Sequence, residues 1–334
     1  MACIIWPGGD FGRSACGRHN AVVAEIVNRV LPILILLLVG FGMRRIRFIT
    51  RGTVDDMRKL VVNLALPAVL FTAFLEVELQ SSDLVTVVAV FVICVVLFIV
   101  GKLFHNRFGS GHDYFPFLMT GFEAGMLGIS LFGTAYGLDR VGHFAIVDLG
   151  HELFIWFVFL ALLLVKRDGI RKPADLLRAF ISSPVIIAIL TGITGNVLDL
   201  ADSFAEWPIT GGLLNTLGVV AGLTVPLILL IVGYGLHLDL AGIREAVRPV
   251  LVRLLVVAPL AVLLPPILMG DILNGGEYAE AALFTLLILP PPFIIPLYMK
   301  PGVEDERRYV NNVLSLYTVV SIAVFIVYMT VNPL

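Results

Sequence analysis

Three acids and one histidine stand inside long apolar runs of this chain. Glu123 lies in GFEAGMLGISLFGTAYG, and Asp148, His151 and Glu152 lie in DLGHELFIW. Carboxylates and imidazole at helical spacing can hold a metal, relay protons or face a polar solute. Positions 148, 151 and 152 fall at i, i+3 and i, i+4, which is one face of a helix. The segment HELFIW is not the H-E-x-x-H of a metalloprotease, because Ile155 stands where the second histidine is needed. No metal ligand set and no catalytic set is assigned. The cluster is read either as lining a transport path or as a hydrogen-bonded network with the neighbouring run that carries Glu123. Its place near the outer end of its run suggests partial solvation.

The elements that must hold these groups are membrane helices. Of 334 residues, 59% are hydrophobic and only 14% charged, against roughly 25% charged in soluble domains. That balance excludes a soluble enzyme and a disordered chain, and the net charge of −2 gives no reason to expect nucleic acid as a partner. The apolar residues come in continuous runs, not in the period-two alternation of a membrane barrel. Ten runs are long enough to be spans: 22–43, 54–75, 84–104, 114–137, 143–165, 184–200, 211–237, 249–270, 278–299 and 307–331. The fold class is therefore all-α and polytopic. Residues 1–21 read as an N-terminal tail, with Cys3 and Cys16 in it, and 166–183 as a linker between five runs (22–165) and five more (184–334).

Basic residues orient the runs. After the odd-numbered runs stand 19 of the 23 Lys and Arg, Arg244, Arg248 and Arg253 among them, while the opposite loops are acidic. This expects a multi-pass plasma-membrane protein, of the bacterial inner-membrane kind, with both termini outside the cytoplasm. With five runs per half, homologous halves would be inserted in opposite senses. RVLPILILLLVGFG and ISSPVIIAILTGITG share the spacing of Pro32 and Gly40 with Pro184 and Gly192, and mid-run Pro67 matches Pro226.

Two runs in corresponding places cannot be continuous helices. The fourth holds Gly121, Gly125, Gly128 and Gly133, and the ninth, LPPPFIIPLYMK, holds Pro290, Pro291, Pro292 and Pro296. Each proline removes a donor and clashes with the preceding turn. Freed backbone at membrane depth is tolerated only inside protein or beside a polar cavity, and paired interruptions point to a carrier's binding site. Glycines alone would also fit close helix packing.

These segments carry a resemblance. VLPILILLLVGFGMRR followed by LVVNLALPAVLF, then AGMLGISLFG, SSPVIIAILTG and VPLILLIVGYGL, resemble the auxin efflux carrier family, which includes bacterial malonate-type permeases, with a more distant similarity to bile-acid/sodium symporters. The resemblance implies a ten-helix, 5+5 inverted repeat with broken, crossed helices 4 and 9. It implies a scaffold of helices 1, 2, 6 and 7, a moving domain of 3–5 and 8–10, elevator-like movement of an organic anion, and a homodimer through the scaffold. Where the family reads Asn-x-Gly-x-x-Gly-x-Pro, this chain has Glu123, Gly125, Gly128 and Ser130.

The substrate site expected from these readings comprises Asn63, one turn before Pro67, with Glu123, Gly125, Gly128, Ser130, Pro291, Pro292 and Pro296. Coupling is assigned to Glu123, Asp148, His151 and Glu152. Glu123 is placed at the C-terminal end of the first half-helix. It is read as the carrier of a coupling proton, with a hydrogen bond that caps frayed backbone as the other reading. Thr224 and Pro226 are weaker counterparts of Asn63 and Pro67, and His237 and Asp239 read as interfacial. No cofactor is expected. Proton and sodium coupling both stay open, as does, more remotely, an intramembrane enzyme built on Asp148, His151 and Glu152. No arginine is expected within a span.

Overall fold

The computed structural model describes residues 31–77, 80–109, 111–168, 177–178, 180–236, 242–300, 302–332 and 334. The N-terminal tail, its two cysteines, most of the linker, His237 and Asp239 lie outside the described residues. Every described element is helical. In chain order these are α1 (31–45), α2 (Arg51–Glu76), α3 (Ser81–Phe108), α4 (Phe115–Leu118), α5 (Ala124–Tyr136), α6 (Leu138–Arg167), α7 (Pro184–Val197), α8 (Leu200–Glu206), α9 (Pro208–Gly235), α10 (Ile243–Ile272), α11 (Gly276–Ile288) and α12 (Glu304–Val331).

Six of them, α2, α3, α6, α9, α10 and α12, are long and apolar enough to cross a membrane, and α5 and α7 are shorter apolar helices. Continuous apolar sequence favours helix there, because only helix satisfies its own backbone in hydrocarbon. The ends follow local chemistry. Thr50 accepts the Thr53 N–H at the start of α2, and Gln80 with Asp83 forms a reciprocal capping box on α3. Pro184 and Pro208 open α7 and α9 at a position where no donor is lost.

Two packed groups emerge. In the first, α2 packs along α7 and α9. Helix α1 crosses α9 so closely that a Cβ at Gly40 would lie 2.2 Å from the Leu230 carbonyl, and one at Gly233 2.2 Å from that of Leu37. In the second, α3 packs on α6, while α10, α11 and α12 pack on one another and α11 returns to α6. A Cβ at Gly150 of α6 would meet the Val87 carbonyl of α3 at 2.2 Å. The fourth and ninth runs are interrupted. Between α4 and α5, residues 119–123 are not helical, and α11 ends at Ile288 before a stretch of turns to Lys300.

Candidate functional site

The two interruptions meet. The Glu123 N–H donates to the Pro290 carbonyl at 2.9 Å, and the Phe293 N–H donates to Glu123 Oε2. Gly121 makes the approach feasible. Its φ is +67°, a left-handed conformation natural to glycine, and a Cβ there would sit 2.8 Å from Pro292 Cγ.

Buried backbone groups must find partners, and those at the interruptions can be traced one by one. The Phe122 N–H donates to His151 Nε2 at 2.9 Å, and His151 Nδ1 pairs with Asp148 Oδ1 at 2.9 Å. An Nε2 that accepts carries no proton, so the imidazole proton lies on Nδ1 and faces the carboxylate. The Thr120 hydroxyl donates to the Cys94 carbonyl, and the Ser321 hydroxyl to that of Ile288. Four further carbonyls converge on one side chain. Arg253 Nη1 donates to Leu118 O (2.9 Å) and Thr120 O (3.4 Å), and Nη2 to Gly121 O (2.7 Å) and Leu289 O (3.3 Å). Its guanidinium also lies 5.0 Å from the Phe122 ring centre and 5.1 Å from that of Tyr317.

Arg253 corrects the expectation that no arginine stands in a span. It is 1% exposed, within α10. Helix α10 begins at Ile243, so ten residues at 1.5 Å each carry position 253 about 15 Å along the axis, deep into the structure. Counting basic residues by loop had left it on the surface.

Glu123 is a second correction. The first half-helix ends early, at Leu118, and Glu123 is the cap residue of α5, not the last residue of the preceding turn. There it faces N–H donors instead of carbonyls, and its Oε2 takes the Phe293 donor. Asp148 and His151 are buried and not partly solvated, at 5% and 2% exposure, and Glu152 Oε2 accepts from Trp156 Nε1 at 2.9 Å. Asp148, His151 and Glu152 offer ligand atoms within 4.8 Å of one another, but both ring nitrogens of His151 are already engaged.

A cavity of about 360 Å³ opens between the first packed group and the interruptions. Met126 of α5, Phe293 and Pro296 form one wall with Asn311, Ser315 and Thr318 of α12. Arg44, Arg51 and Arg58, with Asp55, form the wall toward α1 and α2. Arg58 is paired with Asp55 at 3.3 Å, and Arg44 donates to the Tyr234 carbonyl at 3.3 Å. Three cations against one anion leave this mouth positive.

Of the residues expected to form the site, Glu123, Gly125, Gly128, Ser130, Pro291, Pro292 and Pro296 are brought together at or beside the interruptions. Ser130 is fully buried and bonds the Met126 carbonyl at 2.7 Å, and a Cβ at Gly128 would strike Phe144 and Leu289. Asn63 is not with them. It sits on an exposed face of α2, in a wide turn over Val61–Ala65 before Pro67, and its amide donates to the Lys59 carbonyl. Thr224 is buried, and its hydroxyl has no protein partner. Asn311, a helix-start residue in the sequence reading, lines the cavity, and Arg253, counted there with the basic loops, holds the backbone of the interruptions. The length of α10 before Arg253 is the signal that could have found the latter.

Comparison with known proteins supplies the class. The family model described as membrane transport protein matches residues 25–175. An uncharacterized transporter of Methanothermobacter thermautotrophicus is 25% identical over 224 residues, which is 65% of this chain and 70% of that protein. The chain is a membrane transporter and not an enzyme, and over residues 25–175 it matches the family that its resemblance to the auxin efflux carriers implies.

Proposed function

We propose that the chain is a secondary carrier that moves a small organic anion by an elevator-like motion of α3–α6 with α10–α12 against α1, α2, α7 and α9. Its ten apolar runs would then form two inverted five-helix repeats. The observation that carries this reading is the cavity between the two packed groups. Its positive mouth attracts anions, and its inner wall is the meeting point of two interrupted helices. The mouth lies beside the basic loops, so by the positive-inside rule it faces the cytoplasm, with the termini on the other side of a plasma membrane.

Glu123 is the coupling group in this reading. Its carboxylate occupies a backbone donor, Phe293 N–H, which a substrate carboxylate could also use. Protonation of Glu123 weakens its claim on that donor and admits the anion, so proton and anion travel together. The test is uptake of radiolabelled organic acids into proteoliposomes under an imposed pH gradient. Glu123→Gln is expected to remove the dependence on the gradient, and full dependence in that variant overturns the proton role. A homodimer through α1, α2, α7 and α9 accompanies the reading by resemblance alone.

A further inference from the structure

We infer that the four carbonyls at the paired interruptions form a cation site whose resident cation is the chain's own guanidinium, Arg253. Four oxygens converge from two separate segments: Leu118, Thr120 and Gly121 at the end of α4 and in the first interruption, and Leu289 of the second. Carbonyl dipoles pointed at one another repel, and Leu118, Thr120 and Leu289 are too deeply buried for bulk solvent to screen them. A cage of this kind needs a positive occupant. A free monovalent ion would meet the need, and so does a tethered planar fork with donors on both terminal nitrogens. Each of those nitrogens bridges two carbonyls, and Nη2 joins one from each interruption.

The occupant is fixed by more than these bonds. The side chain is 1% exposed and lies near the Phe122 and Tyr317 rings. Its helix, α10, packs on α3 and α4, so the charge arrives on a third element and holds the other two in register. Arg253 is a positioning residue. It touches no cavity wall, and it sets the distance between Glu123 and the Phe293 donor by holding the backbone on either side. With the cage filled from within, no dissolved sodium ion is required there. The inference rests on the carrier reading only in giving the interruptions a role in transport.

The experiment measures thermal unfolding of the purified full-length protein in one detergent, with salts exchanged at constant ionic strength. The wild-type midpoint is expected to be equal in sodium and choline chloride. Arg253→Ala is expected to lower it by about 5 °C or more, given the usual conversion from lost interactions. Low-millimolar guanidinium should recover at least half of that fall in a saturable way, while equal urea recovers none. Arg253→Lys keeps the charge but not the fork, and should fall between wild type and Arg253→Ala.

Saturable stabilisation of the wild type by sodium overturns the inference, as does guanidinium acting no better than urea. If Arg253→Ala does not fold, the sodium comparison and Arg253→Lys decide. A Lys variant equal to wild type overturns the bridging role. None of these measurements needs a substrate. Absence of organic-acid uptake alongside the expected unfolding results would overturn the carrier reading and leave the cage standing.

Discussion

Glu123 and His151 hold equivalent offices at the two interruptions, since His151 accepts the Phe122 N–H of the first and Glu123 the Phe293 N–H of the second. Glu123→Gln keeps an oxygen for Phe293, so we expect the variant to fold with a near-native unfolding midpoint while losing its response to a pH gradient. Removal of the His151 acceptor leaves the Phe122 N–H buried and unpaired, at a cost of about 1–3 kcal/mol. His151→Leu should therefore lower the unfolding midpoint of the purified protein, and an unchanged midpoint would disprove the acceptor role. The acids at depth were legible in the sequence because few charges interrupt the apolar runs. The roles were less so. Whether Glu123 closes one half-helix or opens the next depends on where α4 stops, and Gly121, with its positive φ, places that point before the Gly125 and Gly128 pair. Arg253 was hidden by a shift of span boundary alone. A span begun at residue 249 leaves it near the surface, whereas α10 begun at Ile243 buries it.

At the scale of elements, the glycines divide into those that set helix contacts and those that do not. Gly40→Ala and Gly233→Ala each press a methyl group onto a facing carbonyl between α1 and α9, and overpacking of this kind costs about 1–3 kcal/mol. Gly42, in the same helix, faces open space. We expect a clear fall in midpoint for the first two and none for Gly42→Ala. A second element-level pair lies in the turn before α4, where Lys166 of α6 donates to Asp113 at 2.9 Å and holds its carboxyl below the usual range. A depressed carboxyl stabilises the fold above the unfolded-state range and ceases to do so as pH falls through the folded value. Asp113→Asn should thus lower stability slightly at neutral pH, by no more than about 1 kcal/mol for so exposed a pair. The difference should vanish in strong acid, and a gap that persists there would argue against the ion pair. The interrupted runs were readable because prolines in series forbid helix. That the two interruptions touch was not readable, because a hydrogen bond between residues 123 and 290 leaves no mark on either local pattern.

For the whole molecule, the distribution of Lys and Arg makes a prediction about sidedness. Cys94 is fully buried, so replacement of Cys3 and Cys16 by serine gives a quiet background for labelling. In that background Asn311→Cys, on the exposed cavity wall, should react with a membrane-impermeant maleimide in inside-out vesicles and be protected in right-side-out ones. Asp139→Cys, in the first turn of α6, should give the reverse. The same labelling of both sites from one side would overturn the orientation. All-helical character and membrane residence followed from composition, and the transporter class from the runs and their breaks. The cavity did not, because its walls come from helices far apart in the chain, and their facing surfaces are fixed only by packing.

The bond between Glu123 and Pro290 has a mechanical consequence. Two interruptions joined by one main-chain bond and the Glu123 carboxylate, and riveted to a third helix by a single guanidinium, resist parting like a pair of doors. In the elevator reading proposed above, they are carried as one piece, as a bucket is raised and tipped. Force applied at either interruption is therefore felt at the other. On that reading, a mutation that loosens this joint would leave a carrier that still fills but leaks on the way.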